Sequence, residues 1–407
     1  MSVAVPLLDR ALAERMDQAR RRTDELFELL KPSAIFSRPI PERHRLIFYL
    51  GHLEAFDWNQ IARNSLGVAS FHAEFDQLFE FGIDPPVGQA AQDQPADWPS
   101  VPEVLAYNRR VRDNIDRLLD QAPEQIVHVA IEHRLMHAET LAYLFHNLPY
   151  DQKRSEAITQ RSAGGAIKPV MIEIPAGAAT LGQKRGEFGW DNEFAEHRVQ
   201  VPAFGIGKYK VTNGQYLDFV RAGARAPHFW MERASQWFYR GMFGEVPLPL
   251  NAPVYVTHQE ASNYARWAGK TLPTEPQFHR AAYGTLQGGE RPYPWGEAQP
   301  DERRGNFDFH RWDPTDADSS PAGDSFFGVS QLVGNGWEWT RSQFGHFPGF
   351  EPFSFYTGYS KNFFDEEHYV LKGASPRTGA CFLRRSFRNW FRPNYPYVYA
   401  GFRVTET

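Results

Sequence analysis

The sequence predicts an α+β protein of two domains. A four-helix bundle occupies residues 1–150, a linker 151–168, and a domain with little regular secondary structure 169–407. Three observations carry this prediction. At 407 residues the chain exceeds the usual single-domain size. Apolar residues in the first 150 positions recur at three- and four-residue steps, the spacing of one helix face. Beyond 168, apolar runs are short and broken every few residues by Gly, Pro, Asn or Asp.

Leu26, Phe27, Leu29 and Leu30 close a charged first helix that Pro32 stops. A second helix starts near Pro41-Glu42 and carries Leu46, Tyr49, Leu50, Leu53 and Phe56 on its apolar side. The third spans roughly Pro102 to Leu119, and the fourth runs from Pro123 to about Leu148. Bundles of this kind commonly host metal sites in their interior. The segment 151–168 is polar and Gly-containing, as a linker would be. In the second domain Val170–Ile174 and Phe204-Gly-Ile-Gly are such short apolar runs, Asn213–Arg221 and Thr257–Ala268 read as short helices, and the rest should be compact, aromatic-rich and loop-dominated.

Composition narrows the function classes. The charge sum is 44 Lys+Arg against 49 Asp+Glu, net −5, so counterion release gives no support to nucleic-acid binding. The single cysteine, Cys381, excludes an intramolecular disulfide and any Cys-based metal cage, and it fits a reducing cytoplasm. Met1–Arg10 lacks a basic segment followed by a long apolar run, so no secretory signal is expected. No stretch approaches the roughly 18–20 apolar residues of a membrane helix. A cytoplasmic protein acting on small molecules is the expectation.

The sharpest local feature is Glu132-His133-Arg-Leu-Met-His137-Ala-Glu139. A four-residue step puts His133 and His137 on one helix face, suitable for two adjacent ligands on one metal. The zinc-protease pattern His-Glu-x-x-His is absent, because Arg134 stands where the catalytic Glu would be. The same pair also fits two core histidines with satisfied hydrogen bonds. Glu139 suits either a ligand or a carboxylate that orients one. His52, midway along an amphipathic helix, is the natural third ligand, with His44, His72, His128 and His146 as competitors. Three neutral imidazoles suit Fe(II), Zn(II) or Cu(II).

The His52 helix followed by His133-x-x-x-His137-x-Glu139 resembles the iron-binding, DinB-like half of the EgtB-type sulfoxide synthases, a family that includes selenoneine synthases. Ile174-Pro-Ala-Gly177, Lys210-Val-Thr-Asn213, Leu272-Pro-Thr-Glu275, Trp295-Gly-Glu297, Leu332-Val-Gly-Asn-Gly-Trp-Glu-Trp339-Thr340, Arg388-Asn-Trp390 and Gly401-Phe-Arg403 resemble the domain shared with formylglycine-generating enzymes, a variant of the C-type lectin fold. Together these motifs cover nearly the whole chain in order. The resemblance implies that the domains meet around nonheme Fe(II) held by His52, His133 and His137. It implies use of O2 to join sulfur, or selenium from a selenosugar, to C2 of the hercynine (trimethylhistidine) imidazole. Asn389 and Trp390 would belong to the hercynine pocket. A tyrosine near the iron would donate a proton, Tyr356 ahead of Tyr359. Aromatic faces and carbonyl oxygens suit the trimethylammonium group, which has no N–H to donate.

The chain also departs from the family pattern. Where several sulfur-transferring members follow Asn-Trp with an acidic residue that helps bind γ-glutamylcysteine, this chain has Phe391; where they carry Gln before the second histidine of the pair, it has Met136. An apolar Phe391 cannot accept a hydrogen bond from an ammonium group, so a selenosugar is favoured over γ-glutamylcysteine, with cysteine a further alternative. Arg384, Arg385, Arg388 and Arg392 fit either a carboxylate- or phosphate-binding run or a solvated surface cluster. Three other readings compete. Formylglycine generation requires a copper-binding cysteine pair that Cys381 alone cannot form. A lectin-like module would bind hercynine or sugar without catalysis. A zinc-dependent DinB-type thiol transferase would leave some 240 residues without a task.

Overall fold

The computed structural model describes residues 10–80, 91–154 and 165–406. Most of the linker expected at 151–168, and nearly all of Met1–Arg10, lie outside the described residues. The chain divides into two compact units, Met1–Glu156 and Ala157–Thr407. It is a mixed α+β protein, helical first and sheet-containing second.

The first unit contains helices α1 (Arg10–Glu28), α2 (Leu46–Asp57), α3 (Ala73–Leu78), α4 (Val101–Leu118) and α5 (Glu124–His146). Helix α2 runs on into a π-helical segment, Trp58–Ser65. Helix α4 begins where Ser100 caps it, with its N–H and hydroxyl both bonded to Glu103 Oε2 at 2.9 and 2.6 Å. Helix α2 starts at Leu46, five residues after the proline at 41 that suggested its start. Arg45 is extended there (ψ 155°), and its guanidinium donates to Phe36 O and to the Asp93 carboxylate, holding the approach as a loop. Helix α3, six residues long, is too short for its apolar spacing to show a face in the sequence. Eleven of the twelve α2 residues are buried, so its two carboxylates, Glu54 and Asp57, need partners inside the bundle.

The second unit is more regular than its broken apolar runs suggest. Strands β1 (Met171–Ile174), β4 (Phe204–Gly207) and β12 (Thr405–Glu406) form one sheet, with β4 in the middle. Strands β2 (Gly177–Leu181) and β3 (His197–Val201) form a hairpin. Strands β5 (Trp230–Arg233), β6 (Gln236–Arg240) and β7 (Glu245–Pro247) form a third sheet. The fourth has the order β10 (Asn389–Phe391), β9 (Tyr369–Ala374), β8 (Gly336–Gln343), β11 (Ala400–Gly401). Individual strands are too short to give a period-2 signal, which is why the sequence understates them.

Three helices join these sheets: α6 (Asn213–Arg221), α7 (His258–Trp267) and α8 (Glu275–Tyr283). Each begins with the same reciprocal cap, Thr212 with Gln215, Thr257 with Glu260 and Thr274 with Gln277. Helix α8 was not expected, although Thr274-Glu-Pro-Gln277 carries the capping signature. In the core, Glu338 of β8 accepts from Lys210 Nζ at 2.6 Å and from Arg403 Nε and Nη2 at 2.6 and 2.8 Å, all fully buried. Three motifs far apart in the chain thus meet in one ion triad.

Candidate metal centre

Helix α2 brings His52 to face His133 and His137 of α5. One ligand nitrogen from each residue lies within 4.8 Å of the others, the one such His/Cys/Asp/Glu group among the described residues. His52 Nε2 and His137 Nε2 are 3.2 Å apart. Two nitrogens about 2.1 Å from one ion, at right-angled to tetrahedral spacing, would stand about 3.0–3.4 Å apart. His52 Nδ1 lies 2.7 Å from Phe79 O. A carbonyl only accepts, so Nδ1 carries the hydrogen and Nε2 keeps its lone pair for the ion.

The other two imidazoles are also prepared as ligands. Burial first, then the neighbouring imidazoles and Arg134, holds His133 well below the usual imidazole range. Burial, His52, Arg43 and Arg134 do the same for His137. Both are therefore neutral at pH 7, the state a metal requires. Both His133 ring nitrogens are buried without a hydrogen-bond partner, an arrangement that costs stability unless something binds there. The His133 ring stacks on Phe56, centroids 3.4 Å apart, which sets its plane. Three imidazoles with one second partner fit a divalent transition metal.

The competing histidines have other tasks. His72 Nδ1 caps α3 by accepting from Phe75 N, His44 packs tilted against Phe48 with centroids 4.1 Å apart, and His128 lies 3.4 Å from Glu124. His146 is buried near the end of α5. Met136 and Glu139 are half-buried on α5 beside the histidines. Arg134, out of place for a protease, donates to Glu54 at 2.9–3.0 Å and to Asp57 at 2.6 Å. Glu54 also binds Arg112 of α4, which holds Asp24 of α1 at 2.7 Å. One network, fully buried at Arg134, Glu54 and Asp57, therefore ties four helices.

In the second unit, Tyr356, Tyr359 and Trp390 belong to one aromatic cluster. Tyr359 is buried, stacked on Trp190 at 3.9 Å and edge-on to Trp390 at 5.4 Å. Tyr356 is only partly buried and lies 5.6 Å from Tyr359. Burial, reinforced by Asp191, raises the Tyr356 phenol above its ordinary pKa and keeps it protonated. Trp390 also stacks on Phe344 at 4.1 Å. Alternation along β10 sends Trp390 to one face and Asn389 and Phe391 to the other, where Phe391 stacks on Tyr395 at 5.3 Å.

The arginine run matches the expected surface cluster only at its end, where Arg392 meets the exposed Glu367. Arg384 pairs with Glu193, Arg385 with Glu290, Arg388 with Glu275 and Arg392 with Glu367. Arg388 is 3% exposed and lies over Phe347, so its charge is spent inside the fold and not offered to an anion. Sequence reasoning missed the Phe79 carbonyl, Gly51, Trp190 and Asp191. Gly51 was visible only as an unusual residue inside a helix, and the rest left no local signal.

Residues 158–407 match the family model of the sulfatase-modifying factor enzyme 1-like domain, and residues 15–145 that of the DinB superfamily. Among similar proteins is the hercynine oxygenase of Mycolicibacterium smegmatis, 28% identical over 97% of this chain and 98% of that protein. The hercynine oxygenase of Mycolicibacterium thermoresistibile is 33% identical over 72% of this chain and 71% of its own. Ergothioneine biosynthesis protein 1 of Neurospora crassa is 27% identical over 93% of this chain, which spans about half (56%) of that relative's length. With both domain families in this order and these relatives, the chain belongs to the EgtB-type family of oxidoreductases.

Proposed function

We propose that this chain is a nonheme Fe(II), O2-dependent enzyme that forms a carbon–chalcogen bond at imidazole C2 of hercynine, with selenium from a selenosugar favoured over sulfur. The observation that carries the reading is the convergence of His52, His133 and His137, with orphaned ring nitrogens and a fixed His52 tautomer. In the proposed reaction the C2–H and chalcogen–H bonds are replaced by a carbon–chalcogen bond. One atom of O2 ends on the chalcogen as its oxide, and the other takes both released protons and leaves as water. The four electrons O2 accepts thus come from forming that bond and from oxidising the chalcogen. Ferrous iron, when bound, supplies the electron-transfer chemistry that O2 requires.

The protein residues have separate tasks. Phe79 O and the Phe56 ring fix the planes of His52 and His133. Tyr356 is the proton donor: its phenol is held protonated and partly accessible, whereas Tyr359 is packed between Trp190 and Trp390. Asn389 and Trp390 bind hercynine, and aromatic faces suit its trimethylammonium group. Phe391, against Tyr395, places no acceptor where a peptide-thiol ammonium would need one, and Met136 likewise offers no amide. These two positions support the selenosugar.

The test is aerobic incubation of the Fe(II)-loaded protein with hercynine and, in parallel, a selenosugar, cysteine and γ-glutamylcysteine, with products identified by mass spectrometry. A hercynine-derived carbon–selenium product is expected to dominate. Preferential sulfur transfer overturns the choice of donor. Full turnover without iron, or in a His133→Ala/His137→Ala variant, overturns the reaction itself.

A further inference from the structure

The loop from Phe353 to Ser360 carries both tyrosines but has no regular secondary structure of its own. Something must hold it if Tyr356 is to present its hydroxyl in one place. The holding residues come from a short turn more than 160 positions earlier in the chain. Trp190 is fully buried, and its ring contacts three loop residues: Phe353 at 6.3 Å, Tyr356 at 6.3 Å and Tyr359, stacked, at 3.9 Å. The next residue, Asp191, is 1% exposed. Its Oδ1 accepts the Ser360 hydroxyl at the far end of the loop, while the Trp190 ring meets Phe353 at the near end.

A buried carboxylate costs stability unless it is paired. Among the described residues no lysine or arginine lies in ion-pair range of Asp191, in contrast to its neighbour Glu193, which Arg384 holds at 2.5 Å. The hydrogen bond that Asp191 accepts comes instead from Ser360, in the loop that carries the tyrosines, and its second carboxylate oxygen is buried without a partner. A structural aspartate in this turn would serve equally well with an arginine beside it.

We infer that Asp191 is a positioning residue that pins the Ser360 end of the 353–360 loop, with the loop packed on Trp190, and thereby aims Tyr356. The inference rests on the proposed role of Tyr356 as proton donor, and its test separates the two. The test compares Asp191→Ala, Asp191→Asn, Tyr356→Phe and the Asp191→Ala/Tyr356→Phe double variant in the full-length, Fe(II)-loaded protein. Turnover with hercynine is read as kcat and KM, and chymotryptic cleavage within 353–360 reports the loop without reference to activity.

Asp191→Ala is expected to lower kcat about 10- to 100-fold, the scale of a misplaced reacting group, with a smaller change in KM. It should also speed cleavage in the loop about 10-fold or more. Asp191→Asn keeps an acceptor oxygen and should recover most of both losses. The double variant should be no slower than Tyr356→Phe alone, because a positioning effect vanishes with the group it positions. Unchanged cleavage in Asp191→Ala, or losses that multiply in the double variant, overturns this positioning role. If Tyr356→Phe retains full turnover, the proton-donor reading fails; Asp191 is then overturned as a device for Tyr356, and the cleavage rates alone decide whether it holds the loop.

Discussion

At the residue scale, the three-histidine group depends on a side chain that is missing. A Cβ on Gly51 would lie 2.6 Å from the Phe79 ring, and Phe79 is the residue whose carbonyl fixes the His52 tautomer. Gly51→Ala must therefore displace Phe79 and loosen that hydrogen bond. Metal affinity is expected to fall about 10- to 100-fold, the usual cost of a lost outer-shell partner. Co(II) titration followed by its visible absorption measures this, and an unchanged affinity contradicts it.

His258 gives a pH-dependent prediction in the second unit. Its Nε2–H donates to Thr340 O at 3.1 Å and its ring stacks on Tyr369. Burial pushes its pKa from 6.5 to about 4, against the opposing pull of the Thr340 bond. Between those values the unfolded chain binds a proton that the folded chain does not. Stability from this group is thus complete above pH 6.5 and lost as the pH falls toward 4, at most about 3 kcal/mol. Urea unfolding across that window should show a shallower decline in His258→Gln than in the parent, and parallel declines would refute it.

At the scale of elements, the bundle is locked by charge as much as by apolar packing. Arg134 of α5 joins Glu54 and Asp57 of α2, and through Glu54 the network reaches α4 and α1. Removing the central cation leaves two buried carboxylates short of a partner. Arg134→Met is expected to destabilise the bundle by about 3–5 kcal/mol, measured by chemical unfolding. A loss under 1 kcal/mol would show that the network is dispensable. The helix spans themselves were largely legible because their apolar spacing is local. The late start of α2 was not, because Asp93, far along the chain, holds Arg45 in an extended conformation. Helix α8 was legible and overlooked: its Thr274–Gln277 cap lies within four residues.

At the scale of the whole molecule, the histidine centre lies within the first unit, so metal binding should stabilise that unit's unfolding transition. Ligand linkage predicts about 2.7 kcal/mol at a free metal concentration of 100 times Kd. Anaerobic thermal unfolding with and without Fe(II), followed by far-UV circular dichroism, should show a transition that rises with metal in the parent and stays fixed in His133→Ala/His137→Ala. A rise of equal size in that variant would place the binding elsewhere.

The sequence by itself determined the two-domain α+β organisation, the helix that carries His133 and His137 on one face, and the candidacy of His52. Each of these follows from spacings of a few residues, which a single helix enforces whatever surrounds it. Only the tertiary structure decided that His52, 85 residues from His137, completes the group, while His44, His72 and His128 do other work. It alone gave each arginine of the 384–392 run a carboxylate partner, Arg384 reaching back 191 residues to Glu193, and gathered Trp190, Tyr356, Tyr359 and Trp390 into one cluster. The physical reason is one of range. Backbone geometry relates residues within about a turn of one another, whereas partners across the chain are chosen by the packing of buried surfaces and the need to neutralise every charge enclosed there.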